Sequence, residues 1–143
     1  MAERVVLRQN DRFEVEILAA SPHTEDSEAL EPVERLHHLT PYGMLLASLG
    51  SCTAILLHSH AQNRGLKLRE VELHLTYARD FKQDCDNCEG ADQYDEHIDL
   101  EIALTGEITE QERERLLLIS RQCPIHKIIK GGIQVRTKQA QGR

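Results

Sequence analysis

Residues 40–58 read Thr40-Pro41-Tyr42-Gly43-Met44-Leu45-Leu46-Ala47-Ser48-Leu49-Gly50-Ser51-Cys52-Thr53-Ala54-Ile55-Leu56-Leu57-His58, and the run continues to Arg64-Gly65. The Thr40 hydroxyl suits a helix cap, and Pro41 fits the first turn, where a missing N–H costs nothing. Gly65 suits the left-handed residue that ends a helix. Between these signals, Met44 to Leu57 is apolar or small on every side. A helix apolar all round is buried all round. The run is too short, and too often broken by Ser and Gly, for a membrane span. It predicts a central buried helix with Cys52 near its middle. One small sheet covers only one face of such a helix, so the other face points to a second copy of the chain.

The 143 residues suit one domain, spanning 1–143. A net charge of −7 argues against nonspecific binding to nucleic acid or to an anionic membrane. Trp is absent and aromatics are few, so the core is built from Leu, Ile and Val, and base stacking has little support. Met1-Ala2-Glu3-Arg4 has no apolar segment of the secretory kind, which leads us to expect a reducing, cytoplasmic setting. There, four cysteines are reactive or metal-binding rather than structural staples.

Upstream of the helix, Val5-Val6-Leu7, a turn at Gln9-Asn10-Asp11, and Phe13-Glu14-Val15-Glu16-Ile17 predict a β-hairpin. Phe13, Val15 and Ile17 alternate with acids, so one face should be buried. Ser21 to Glu31 is polar and acidic, a loop. Val33 to Leu36 is expected as a short strand leading into the helix. Downstream, Leu68, Val71, Leu73, Leu75 and Tyr77 alternate as a strand, with a phase slip near Arg69. Arg79 to Glu96 is an acidic loop or hairpin extension. Ile98, Leu100, Ile102 and Leu104 form the return strand. Thr109-Glu110-Gln111-Glu112 is a capping box that opens an amphipathic helix through Leu116, Leu117 and Ile119. Cys123 and Pro124 open a second short helix, ended by Gly131-Gly132. Ile133 to Thr137 is expected as a final strand.

Among the chemistry-bearing residues, Cys123 has the strongest local argument. A thiol at a helix N-terminus faces unpaired N–H groups and the positive dipole end, which lowers its pKa. His126 lies one turn on. Cys52 sits too deep in its helix for that effect, and taken alone it reads as a small buried hydrophobe. To react it needs a cation brought in by the fold, with Arg35 and Arg12 as candidates. Cys85-Asp86-Asn87-Cys88 is a C-x-x-C in an acidic loop, a poor setting for thiolates. With Cys123 and His126 it makes a set of zinc-compatible ligands. His58 and His60 are two apart and face different sides of a helix, and His37-His38 suits a solvated loop.

Two of these stretches taken together, Thr40-Pro41-Tyr42 with Leu45 to Ala54 around Cys52, and Cys123-Pro124-Ile125-His126, resemble the OsmC/Ohr family across nearly the whole chain. That resemblance implies an α+β fold. Its parts would be an N-terminal hairpin, a long buried central helix, two further strands, an amphipathic helix and a final strand. It implies an intertwined homodimer with sites at the subunit interface. It also implies thiol-dependent reduction of organic hydroperoxides in oxidative-stress defence. Cys52 would attack the peroxide and become a sulfenic acid, and Cys123 would capture it as a disulfide. External dithiols, lipoyl groups among them, would reset it. Arg35 matches the place from which the OsmC branch supplies its activating arginine, with Arg12 at the hairpin turn as the alternative. Family peroxidases carry a Glu just after the helix-opening Pro; Tyr42 and Gly43 stand there in this chain. The acidic C-x-x-C loop is not part of the best-studied branches and resembles an OsmC-like branch, some members of which are fused to hydrolases. No cofactor and no resident metal is implied. Two other readings stay open: a zinc-binding or redox-sensing module using Cys85, Cys88, Cys123 and His126, and a dimer binding a small apolar ligand beside the central helix.

Overall fold

A computed structural model describes residues 2–20, 29–81 and 94–142. The strands are β1 (Ala2–Asn10), β2 (Val15–Ala20), β3 (Leu30–Pro32), β4 (Lys67–Phe81) and β5 (Tyr94–Glu107); the helices are α1 (Pro41–Asn63), α2 (Glu110–Ser120) and α3 (Pro124–Gly131). All strand pairs are antiparallel, in the order β3-β2-β1-β4-β5. The chain is thus α+β, with the long helix laid on one face of the sheet.

The expected signals bound α1. Thr40 Oγ1 accepts a hydrogen bond from the Gly43 N–H at 3.0 Å. Pro41 occupies the first turn, and Gly65 follows with φ 65°. Gly43, Ala47, Gly50, Ala54 and Ala61 are all buried in the fold. A Cβ at Gly50 would lie 3.0 Å from Leu75 Cδ1, so small residues here let the helix ride close on β1 and β4. Register then aligns Leu7 with Leu73, and Leu73 with Ile102, presenting one apolar surface. Leu7, Leu73 and Leu75 from the sheet, and Leu46 and Leu57 from α1, are fully buried. Each such side chain stabilises the fold by about 1.5–3 kcal/mol through burial.

One expectation about α1 needs correction. At 23 residues it is long and apolar enough to cross a bilayer by length and composition alone. Its packing on the sheet, not its length, marks it as a core helix. The sheet covers one face of α1, as expected, and the other stays open: Leu45 and Ile55 keep 41% and 46% of their surface exposed.

The hairpin turn is held by Asn10, whose Oδ1 accepts from the N–H groups of Arg12 and Glu14, both at 3.0 Å. Ile17 and Ala19 reach the core, but Phe13 and Val15 remain exposed, so the expected buried face is only half covered. The strand expected at Val33–Leu36 lies earlier, at Leu30–Pro32, where it pairs with Leu18–Ala20. The chain then turns through a 3-10 segment, Leu36–His38, with His37 and His38 exposed. The phase slip near Arg69 is a bulge between Leu68 and Glu70.

The capping box forms as expected. Thr109 Oγ1 accepts from the Glu112 N–H, and Glu112 accepts from the Thr109 N–H, both at 3.1 Å. α2 turns Leu116 and Ser120 inward, whereas Leu117, expected inward, is exposed. The final strand expected at Ile133–Thr137 is absent. Those residues form no ladder, and Ile133 and Val135 are 67% and 80% exposed. A strand needs a neighbour to accept its backbone groups, and no described strand pairs with it. Most of the acidic loop, with Cys85 and Cys88, lies outside the described residues.

Candidate functional site

The two thiols singled out in the sequence meet. Cys52 sits on the fourth turn of α1, half-buried, and Cys123 is fully buried at the start of α3. Their side chains are close enough for each to shift the ionisation of the other. The local sequence explains how. Pro124 and the turn before it start α3 at Cys123, and α3 packs against α1.

Their surroundings separate the two sulfurs. Burial pushes the Cys52 thiol up, and its hydrogen bond to Cys123 pushes it further the same way, because a donated proton is harder to remove; the Ile125 N–H pulls weakly against both. Burial also pushes Cys123 up. There, however, the Cys52 thiol, the His126 N–H, the Thr53 hydroxyl and the Ile125 N–H together favour the thiolate, and the net shift is downward. No closely aligned capping bond forms from Sγ, so these donors act as a convergent group rather than as one strong cap.

Thr53 was not anticipated from sequence. It is fully buried, and its hydroxyl donates to the Leu49 carbonyl at 2.8 Å while also reaching Cys123. A hydroxyl has one proton, so it serves either the carbonyl or an ionised sulfur. The Leu49 carbonyl keeps its helical bond from the Thr53 N–H either way.

Arg35 is exposed in the bend before the 3-10 segment, and Arg12 is exposed at the hairpin turn. Neither is among the groups that shift Cys52 or Cys123 within the protomer. Cys85 and Cys88 fall outside the described residues, so the zinc-compatible set is not assembled here. Among the described residues, no three His, Cys, Asp or Glu side chains cluster as metal ligands. His58 is a core residue: its Nε2–H donates to the Gln9 carbonyl at 2.9 Å.

A cavity of about 470 Å³ runs beside α1, lined by Tyr42, Leu45 and Leu49 from the helix and by His126 and Ile129 from α3. Leu49 is one turn before Cys52, so the cavity approaches the thiol pair. Its far end is polar. Tyr42 stacks on Tyr77 with ring centroids 4.6 Å apart, Tyr77 Oη donates to Glu96 at 2.8 Å, and Arg79 Nη1 donates to Tyr42 Oη at 3.4 Å. Strand alternation could have placed Arg79 here, since it shares the parity of Leu73, Leu75 and Tyr77.

Burial, then the hydrogen bond to Glu96, pushes the Tyr77 phenol from 10.0 up to about 12. The folded chain therefore keeps this proton to higher pH than the unfolded chain. Its contribution is complete below the unfolded value and is lost as pH rises through the folded one. Tyr77→Phe removes that dependence. The stability difference between wild type and variant should shrink over this alkaline window, read from urea midpoints at stepped pH. A difference independent of pH would contradict the assignment.

The sequence model of the family described as OsmC-like protein matches residues 33–138. No curated protein matches the chain. An OsmC-like hydroperoxide resistance protein from Jannaschia sp. CCS1 shares the fold with a TM-score of 0.61 at 11% identity, covering 99% of this chain and 95% of its own. An organic hydroperoxide resistance protein OsmC from Legionella pneumophila gives a TM-score of 0.48 at 14% identity, over 90% of each chain.

Proposed function

The chain belongs to the OsmC-like protein family, and on that premise we propose that it is a cysteine-based peroxidase that reduces organic hydroperoxides. The observation that carries this reading is the packing of α3 on α1, which brings together Cys52 and Cys123, two thiols far apart in sequence. Cys52, the more accessible sulfur, attacks the terminal peroxide oxygen. It becomes a sulfenic acid and releases an alcohol. Cys123 then displaces the sulfenic oxygen, closing a disulfide. A dithiol, such as a lipoyl group, returns both sulfurs to the reduced state in the cytosol. The cavity beside α1, with its apolar floor, receives the organic part of the substrate.

In this reading the chain acts as one domain in a homodimer, and Arg35 supplies the activating cation from the exposed segment before α1. The partner copy covers Leu45 and Ile55, and the extended Ile133–Thr137 segment finds its pairing edge there.

The test is direct. Reduced protein is mixed with cumene hydroperoxide, free thiols are counted, and the linked peptides are mapped. Loss of both thiols of the pair, with a Cys52–Cys123 link, is expected, and Cys52→Ser should show no peroxide-dependent loss. Equal thiol loss in wild type and Cys52→Ser would overturn the proposal.

A further inference from the structure

Resting on the peroxidase reading, we infer that His126 is a catalytic residue that protonates the departing alkoxide when Cys52 cleaves the hydroperoxide.

Breaking the O–O bond of an alkyl hydroperoxide releases an alkoxide, a strong base and a poor leaving group. A positioned acid lowers that barrier by delivering a proton as the bond breaks. Cys52 and Cys123 supply the two sulfurs and leave the source of this proton unassigned.

Two helices build the wall of the cavity. On α1, Leu45 and Leu49 line it, and Cys52 continues their stripe at the i, i+4, i+7 spacing. On α3, His126, Ile129 and Lys130 line it, and Cys123 precedes His126 by three residues. α3 packs on α1. Each stripe therefore runs from a thiol into the cavity, and on α3 the first cavity-lining side chain after the thiol is His126. A hydroperoxide with its organic part along Leu45 and Leu49, and its terminal oxygen at Cys52, presents its inner oxygen to the part of the wall where His126 stands.

The other ionisable groups on that wall are engaged or distant. Tyr77 Oη donates to Glu96 at 2.8 Å. Tyr42 stacks on Tyr77 ten residues before Cys52, about 15 Å away along the helix axis. His97 Nε2 pairs with Asp99 Oδ2 at 3.7 Å. Lys130 stands one turn beyond His126, and an ammonium gives up its proton reluctantly at neutral pH. The His126 ring is half-buried and has no hydrogen-bond or ion-pair partner among the described residues. Histidine ordinarily titrates near neutral pH, so it can both give a proton and regain one from solvent.

The step balances. The Cys52 thiolate, its proton already lost to water, attacks the terminal oxygen of ROOH. The S–O bond forms, the O–O bond breaks, and the bonding pair leaves on the inner oxygen. That oxygen takes the proton of the His126 imidazolium and departs as ROH. The attacked oxygen keeps its hydrogen, giving Cys52–SOH, and the neutral imidazole takes a proton from water. Sulfur loses two electrons and the peroxide gains them. One proton leaves Cys52 and one reaches the alcohol.

The experiment compares two oxidants. Cumene hydroperoxide must expel an alkoxide, whereas peracetic acid expels a carboxylate, which departs without the help of an acid. Second-order loss of the Cys52 thiol is followed for both, in the reduced full-length protein and in His126→Asn, with the site read by peptide mass. The variant should react about a hundredfold more slowly with cumene hydroperoxide and at nearly the wild-type rate with peracetic acid. Alkylation of Cys52 by iodoacetamide should be unchanged. Equal slowing with both oxidants, or slowed alkylation, would show that His126 serves the sulfur or the fold instead. No slowing with either would remove it from the reaction. Each of these results overturns the inference and leaves the peroxidase reading standing. Wild-type protein whose Cys52 reacts with peracetic acid but not with cumene hydroperoxide would sink that reading, and the inference with it.

Discussion

Replacing Gly106 by alanine should lower the stability of the folded chain by about 3 kcal/mol or more, seen as a lower urea midpoint with an unchanged slope. Gly106 lies opposite Leu68, where the β4–β5 ladder shifts register before Glu70. Its φ is 153°, a conformation that L residues rarely adopt. A Cβ there would lie 2.1 Å from the Lys67 carbonyl oxygen, with the Arg69 nitrogen and Leu68 Cα both at 3.1 Å. All three are backbone atoms of a paired strand, so none can yield without breaking the bulge. The comparison with two other glycines decides between strain and clash. Gly65 and Gly132 also have positive φ, 65° and 78°, but an added Cβ would meet nothing within 4 Å. Alanine there should cost about 1 kcal/mol, the conformational part alone. A Gly106→Ala loss no larger than at Gly65 would show that the bulge is free to rearrange. The effect reaches the site, because β4 and β5 beyond the bulge carry Tyr77 and Glu96 to the cavity.

Much of this architecture was legible in the sequence, for definable reasons. Thr40-Pro41 and the Thr109 box mark helix starts because capping chemistry is local, complete within four residues. The slip near Arg69 announced the bulge because strand alternation has a strict period of two, and one extra residue breaks it visibly. Cys123 was placed at a helix start by its own neighbour, Pro124. What failed was non-local. Ile133 to Thr137 alternates well, yet a strand is a property of a pair, and no described strand pairs with it. Val33 to Leu36 has the composition of a strand, but the edge of β2 is taken by Leu30–Pro32. Leu116, Leu117 and Leu118 are equally apolar, and only the direction from which α1 approaches selects Leu116. At the site, family resemblance named both cysteines but not Thr53. A threonine inside an apolar helix normally bonds its own backbone, as this one does, and its second contact depends on where α3 docks.

Glutamate at both Leu45 and Ile55 should convert a wild-type dimer to a monomer at low micromolar concentration, with sedimentation as the measurement. Positions 45, 48, 52 and 55 recur at the three- and four-residue spacing that makes one stripe of a helix. Leu45, Ser48 and Ile55 are exposed on α1, and Cys52 stands half-buried among them. The sheet therefore does not cover this stripe. Burying a fully exposed Leu or Ile contributes about 1.5–3 kcal/mol, and Leu45 and Ile55 are less than half exposed, so two side chains from each of two copies supply about 3–5 kcal/mol. Association costs a comparable amount, from about 4 kcal/mol upward, so this stripe alone does not secure a dimer. Phe13, Val15, Ile133 and Val135 add further exposed apolar surface to close the balance. A balance that near makes the central stripe decisive. Losing even ~3 kcal/mol weakens the dimer by more than a hundredfold, and buried glutamates add a desolvation penalty. Because Cys52 belongs to the same stripe, the monomeric variant should also expose it, and its alkylation should quicken. Wild-type protein that sediments as a compact, folded monomer would refute this arrangement, since the stripe would then be stable facing water.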